Sequence, residues 1–121
     1  KIAYAKVQNL QGEFVEPTSA SISAAASGDI PADTRCSITN SDAVGAYPIS
    51  TFTWMIVYKE QNYSDRTKEQ AIATLDLLKY ILSDEAQGIT SEIHYAPLPE
   101  KAREQSMKNL HTVTYDGVTI L

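Results

Sequence analysis

The stretch Ala46–Glu60, AYPISTFTWMIVYKE, constrains the fold more than any other part of the chain. Pro48 stands near its start, a β-branched and aromatic run passes through Trp54 and Val57, and Lys59 and Glu60 supply a charged exit. On alternate positions, Ile49, Thr51, Thr53, Met55 and Val57 face one way, while Ser50, Phe52, Trp54, Ile56 and Tyr58 face the other. Both rows become apolar towards the end. A strand wetted on one face alternates apolar with polar residues. This pattern therefore predicts a strand over 49–58 covered on both faces, as in an α/β sheet with helices on each side.

The segments around it supply local signals. Ile2–Gln8 is a short strand candidate, and the turn after it carries Asn9 and Gly12, the latter suited to positive φ. Phe14–Glu16 adds a brief extended piece before Pro17. Thr18 is placed to cap a helix over Ser19–Ser27, with Gly28 where a terminating glycine belongs and Ile22, Ala25 and Ala26 on one face. Residues 29–45 lose all periodicity at Pro31, Asn40, Asp42 and Gly45, which makes Ala46 the natural boundary. Beyond the strand, Thr67 and Gln70 match a capping box, with Ser64 and Asp65 as alternative caps. Ala71, Leu75, Leu78 and Leu82, widened by Ile72 and Ile81, predict a helix over 67–83. Ser83–Glu92 continues helical with a break near Gly88, and Pro97 and Pro99 impose an extended passage over 95–98. Pro99 fits the first position of a last helix over 99–110, with Ala102, Met107 and Leu110 as its apolar stripe. Asp116–Gly117 is a turn signal between β-prone runs in the tail.

Length and charge narrow the class. At 121 residues the chain has the size of one domain, and 43% hydrophobic with 21% charged residues is an ordinary globular balance. The formal net charge is −5, and the ten Lys and Arg are scattered, so the counterion-release term that drives nucleic-acid binding is missing. No run has the length of a membrane span and no polybasic segment marks a surface anchor. Cys36, the single cysteine, leaves both exported and cytosolic settings open. The chain begins at Lys1 without a signal-like apolar region, as processing or truncation would leave it.

Three blocks in order, AYAKVQNLQGEFVEPT, AYPISTFTWMIVYKEQ and YAPLPEKAREQ, carry a family likeness. It rests on Val7-Gln8-Asn9 and Gly12 with Phe14-Val15-Glu16-Pro17, on Tyr47-Pro48-Ile49, and on Tyr95 with Pro97-Leu98-Pro99. Together they resemble the C-terminal part of the phosphate-binding proteins of bacterial phosphate ABC transporters. The resemblance implies the C-terminal portion of a two-lobed, type II periplasmic-binding-protein-like α/β fold, its sheet covered by helices. Residues 1–45 would end the second lobe and residues 46–121 would return into the first. It further implies a non-enzymatic solute-binding component, periplasmic or cell-surface and in some cases lipid-anchored. That component would capture inorganic phosphate for an ABC permease without a cofactor. The family's ligand residues are a threonine-bearing loop, serines at helix starts, an aspartate, and an arginine before a Ser-Gly-Thr helix entrance. Such groups suit a multiply charged oxyanion. None occurs here: Arg35-Cys36-Ser37 is not the arginine motif, and Thr51-Phe52-Thr53 belongs to an apolar run. The ligand residues are thus expected upstream of Lys1, and no substrate-binding residue is assigned. The alternatives are a binding protein for another oxyanion and a stand-alone α/β interaction domain. An incomplete lobe is also expected to self-associate through uncovered sheet edges.

The remaining candidates have plainer readings. No glycine-rich phosphate loop and no Cys/His pair with metal spacing is present. His94 and His111 lie on different elements, and Asp84 and Glu85 are adjacent and so cannot face each other on a helix. Trp54 and Tyr58 share a strand face suited to packing. Cys36 lacks a base or helix start to lower its pKa. Asn62-Tyr63-Ser64 matches a glycosylation sequon that matters only in a eukaryotic secretory setting. No nucleophile–base constellation points to an enzyme.

Overall fold

Asn9 shows why the chain turns where it does. Its Oδ1 accepts from the N–H groups of Gln11 (3.1 Å) and Glu13 (2.9 Å), and Gly12 adopts φ +82°, a left-handed conformation that glycine enters without a Cβ clash. The turn joins β1 (Val7–Gln8) to β2 (Phe14–Val15), antiparallel with Val7 opposite Val15. The computed structural model describes residues 3–121, so the start of the first strand candidate, at Ile2, lies outside the described residues.

Glu13 carries this hairpin onto the chain beyond Gly45. Its Oε2 accepts from Asn9 Nδ2 (2.9 Å) and from the Gly45 N–H (3.1 Å), two bonds that also hold its carboxyl below the usual range. The Tyr47 N–H reaches the Ser21 carbonyl at 3.0 Å, and the Asn40 N–H reaches that of Pro48 at 2.8 Å. Residues 46–50 are therefore fastened to the N-terminal segment, although composition changes at Ala46.

Thr18 caps α1 (Ser19–Ala25) in a reciprocal box with Ser21. The helix stops short of Ser27, because the Ala26 N–H turns to the Ser23 carbonyl at 3.1 Å and the Ser27 hydroxyl caps the Ala24 carbonyl at 2.8 Å. Gly28 is not in the left-handed region and does not terminate it. Ala25 and Ala26 are buried, while Ile22 is half-buried and Ser21 takes the remaining inner place.

The central strand expected over 49–58 does not form. No backbone-to-backbone hydrogen bond joins residues 51–58 to any described residue, and side chains of both predicted faces meet solvent, with Met55 59% and Ile56 94% exposed. The physical reason is the absence of neighbours: among the described residues every ladder is two-stranded, β1 with β2 and β3 (Thr114–Tyr115) with β4 (Val118–Thr119). Pairing begins only at the end of the run, where Glu60 bridges Thr114 in parallel.

Helical signals are local and need no such neighbours. Thr67 caps α2 (Lys68–Ile81), its side chain accepting from the Gln70 N–H while Gln70 returns a bond to the Thr67 N–H. Thr67→Ala is expected to cost about 1 kcal/mol, read as a lower urea midpoint at unchanged slope. Leu82 closes α2, and Ser83 caps α3 (Asp84–Ile89). Gly88 lies within α3, and the break near it falls at Thr90, whose hydroxyl bonds the Gln87 carbonyl at 2.7 Å and opens a 3-10 turn over Thr90–Ile93. Pro99 stands as the cap of α4 (Glu100–Leu110) rather than as its first residue, since its own carbonyl accepts from Ala102 and Arg103. Asp116 (φ +52°) and Gly117 (φ +74°) make the two-residue turn between β3 and β4.

The described residues thus form a small mixed α/β structure of four α-helices and two small sheets. Its apolar centre joins α2, α4 and the tail through Leu75, Leu110 and Val113, with Leu78, Leu82, Met107, Ile120 and Leu121 packed around them.

Candidate functional site

Because the run 51–58 is unpaired, it stands off α2 and α4 and leaves a cleft of about 340 Å³. Phe52, Trp54, Met55 and Val57 form one wall; Leu78, Ile81, Leu82, Ala102 and Leu110 form the other. Trp54 crosses the mouth, its indole Nε1 donating to the Thr34 carbonyl at 3.2 Å and its ring meeting Phe52 edge-on at 6.1 Å. Among the described residues, Lys59 is the only cationic side chain in the lining. An oxyanion needs several converging N–H and O–H donors. The lining is mainly apolar, with the Thr34, Thr53, Ser106 and Thr112 side chains and Asn109 in addition to Lys59.

The residues singled out from the sequence do not converge. His94 ends the 3-10 turn in a left-handed conformation, whereas His111 follows α4 with Nδ1 3.4 Å from the Leu121 carbonyl. Asp84 pairs with Arg103, while Glu85 is exposed, so the two acids do not act together. Tyr58 stacks edge-on against Tyr63 at 4.9 Å, away from Trp54's position over the cleft. Cys36 is half-buried with its sulfur 3.8 Å from the Thr34 carbonyl. Asn62, of the sequon, is exposed and donates to Asp116 Oδ1. Arg35 turns onto Asp33 at 2.9 Å, and the half-buried Phe52 between Thr51 and Thr53 lines the cleft. No group of His, Cys, Asp and Glu among the described residues has the geometry of a metal centre.

One polar arrangement is not revealed by the sequence. Glu60 Oε1 accepts from the N–H groups of Asn62 (2.9 Å) and Asp116 (3.0 Å), and Oε2 from Thr114 Oγ1 (2.8 Å) and the Gly117 N–H (3.0 Å). These bonds, led by that from the Asn62 backbone, hold the carboxyl down to about 2. An acid following a strand-like run and a distant Asp-Gly turn were both visible, but nothing in their spacing joins them.

Comparison with known proteins supplies what the geometry lacks. Over 108 residues, 87% of its length, the chain is 32% identical to the phosphate-binding protein PstS of Xylella fastidiosa strain Temecula1. It is 32% identical over 114 residues to PstS of Methanocaldococcus jannaschii, and 24% identical over 125 residues, 99% of the chain, to PstS of Pasteurella multocida. The chain is thus similar in sequence to these phosphate-binding proteins. It spans 28% of the length of the Xylella and Methanocaldococcus relatives and 35% of the Pasteurella one. No family model matches the chain, and no solved structure matches it.

The blocks that carry the likeness to PstS are scaffold here. Asn9 and Gly12 make the first turn, the Ala46 carbonyl accepts from Asn9 Nδ2 at 3.4 Å while the Tyr47 N–H fastens the next block to Ser21 of α1, and the Leu98 N–H donates to Gln87 Oε1 at 2.7 Å to hold the Pro97–Pro99 passage against the helices. Their role in the described structure is to shape the backbone.

Proposed function

We propose that this chain is the C-terminal part of the solute-binding component of an ABC importer, which captures inorganic phosphate outside the cytoplasmic membrane and hands it to the permease. The observation that carries the reading is the similarity to PstS proteins along 87% of the chain. In this reading the complete protein is two-lobed with a type II fold, residues 1–45 end its second lobe, and residues 46–121 return into the first. The protein is periplasmic or held at the cell surface, and its role is binding and delivery, without a catalytic step or cofactor. The bare run 51–58 supports it: a stretch apolar on both faces and free of backbone pairing is what a sheet's inner strand looks like without its neighbours. The same bare edge is where the separated chain would associate with its own copies. In this reading the phosphate ligands lie upstream of Lys1. No helix among the described residues is long and apolar enough to cross a membrane.

Titration calorimetry tests this reading. The chain by itself is expected to give no phosphate heat at micromolar concentrations, while a longer protein carrying the upstream residues binds. Micromolar or tighter binding by this chain alone, about 8 kcal/mol or more, would place the ligands within it and overturn the assignment.

A further inference from the structure

We propose that the Asp116–Gly117 turn is an anion nest with the Glu60 carboxylate as its built-in occupant, so that the C-terminal hairpin is a latch closed by Glu60. Both residues of the turn have positive φ, which aims their consecutive N–H groups into one hollow, the arrangement that binds anions elsewhere. Glu60 fills it with both oxygens, taking one further bond from the Asn62 N–H and one from the Thr114 hydroxyl. Apart from these, the hairpin meets this part of the chain through two backbone bonds of 2.8 Å, Thr114 N–H to Lys59 and Gln61 N–H to Thr114, and through the Thr114 hydroxyl to the Lys59 carbonyl (3.5 Å), Asn62 to Asp116 and the Tyr115 hydroxyl to the Arg66 carbonyl. Little burial holds its outer strand, since Val118 is 62% exposed and Thr119 is exposed as well. The carboxylate thus adds three bonds, to Thr114, Asp116 and Gly117, between segments more than fifty positions apart. It also sets register: sliding Thr114 by one residue against 59–61 would turn its hydroxyl away and carry both turn N–H groups off the carboxylate. The latch thereby fixes how the apolar run leaves the cleft and enters α2.

Amide hydrogen exchange on wild-type, Glu60→Gln and Glu60→Ala chains tests the latch. Glu60→Ala is expected to speed exchange at Asn62, Thr114, Asp116 and Gly117 by about tenfold or more while α2 and α4 keep their protection. Glu60→Gln, which keeps one acceptor oxygen, should fall between the two. Sodium formate, compared with sodium chloride at equal ionic strength, should restore part of the lost protection in Glu60→Ala by refilling the nest. Unchanged exchange in both variants would overturn the latch, and so would a loss spread equally through α2 and α4. Failure of formate to restore any protection would overturn the nest.

Discussion

Leu75→Ala is expected to lower stability by about 2–5 kcal/mol, the range for truncating a fully buried leucine. Leu75 is 0% exposed and sits where α2, α4 and the tail meet, with Leu110 and Val113 as buried neighbours. The centre it belongs to is small, so the walls have few side chains with which to close the void. Against a domain stability of roughly 5–15 kcal/mol, such a loss removes much of the margin. Urea denaturation followed by far-ultraviolet circular dichroism should show the midpoint falling by about 1–2 M at unchanged slope. Leu77→Ala, on the same helix but at a site 58% exposed, should stay within about 0.5 kcal/mol of wild type. Equal effects at the two positions would contradict the packing described for α2.

Ile56→Lys separates the present chain from the longer protein proposed for it. Ile56 is 94% exposed, so in this chain lysine should change stability by no more than about 0.5 kcal/mol. In a two-lobed protein where 49–58 is an inner strand, the same change places an ammonium between sheet and helix, and several kcal/mol should be lost. Urea denaturation of both lengths carrying the substitution makes the comparison. A longer protein indifferent to lysine at this position would remove the inner-strand reading, even with the family likeness intact.

What was legible in the sequence follows the range of the forces involved. The Thr67–Gln70 box, the Thr18 cap, the Asn9–Gly12 turn and the Asp116–Gly117 turn all operate within a few residues, and each appears in the structure. Helix ends were less legible. Ser27, Ser83 and Thr90 compete for backbone partners through their hydroxyls, and that competition moved one helix end and one break away from the nearby glycines.

Composition alone determined that 49–58 is apolar on both faces, and therefore that it needs cover on both. Tertiary structure decided that the described residues do not supply that cover, because a strand's hydrogen bonds belong to whatever lies beside it and not to its own residues. The same reason hid Glu13 and Glu60. Each carboxylate ties its own loop to groups more than thirty positions away, Gly45 for the first and the Asp116–Gly117 turn for the second. Side-chain identity made these bonds available, and only the folded path of the backbone brought donor and acceptor together.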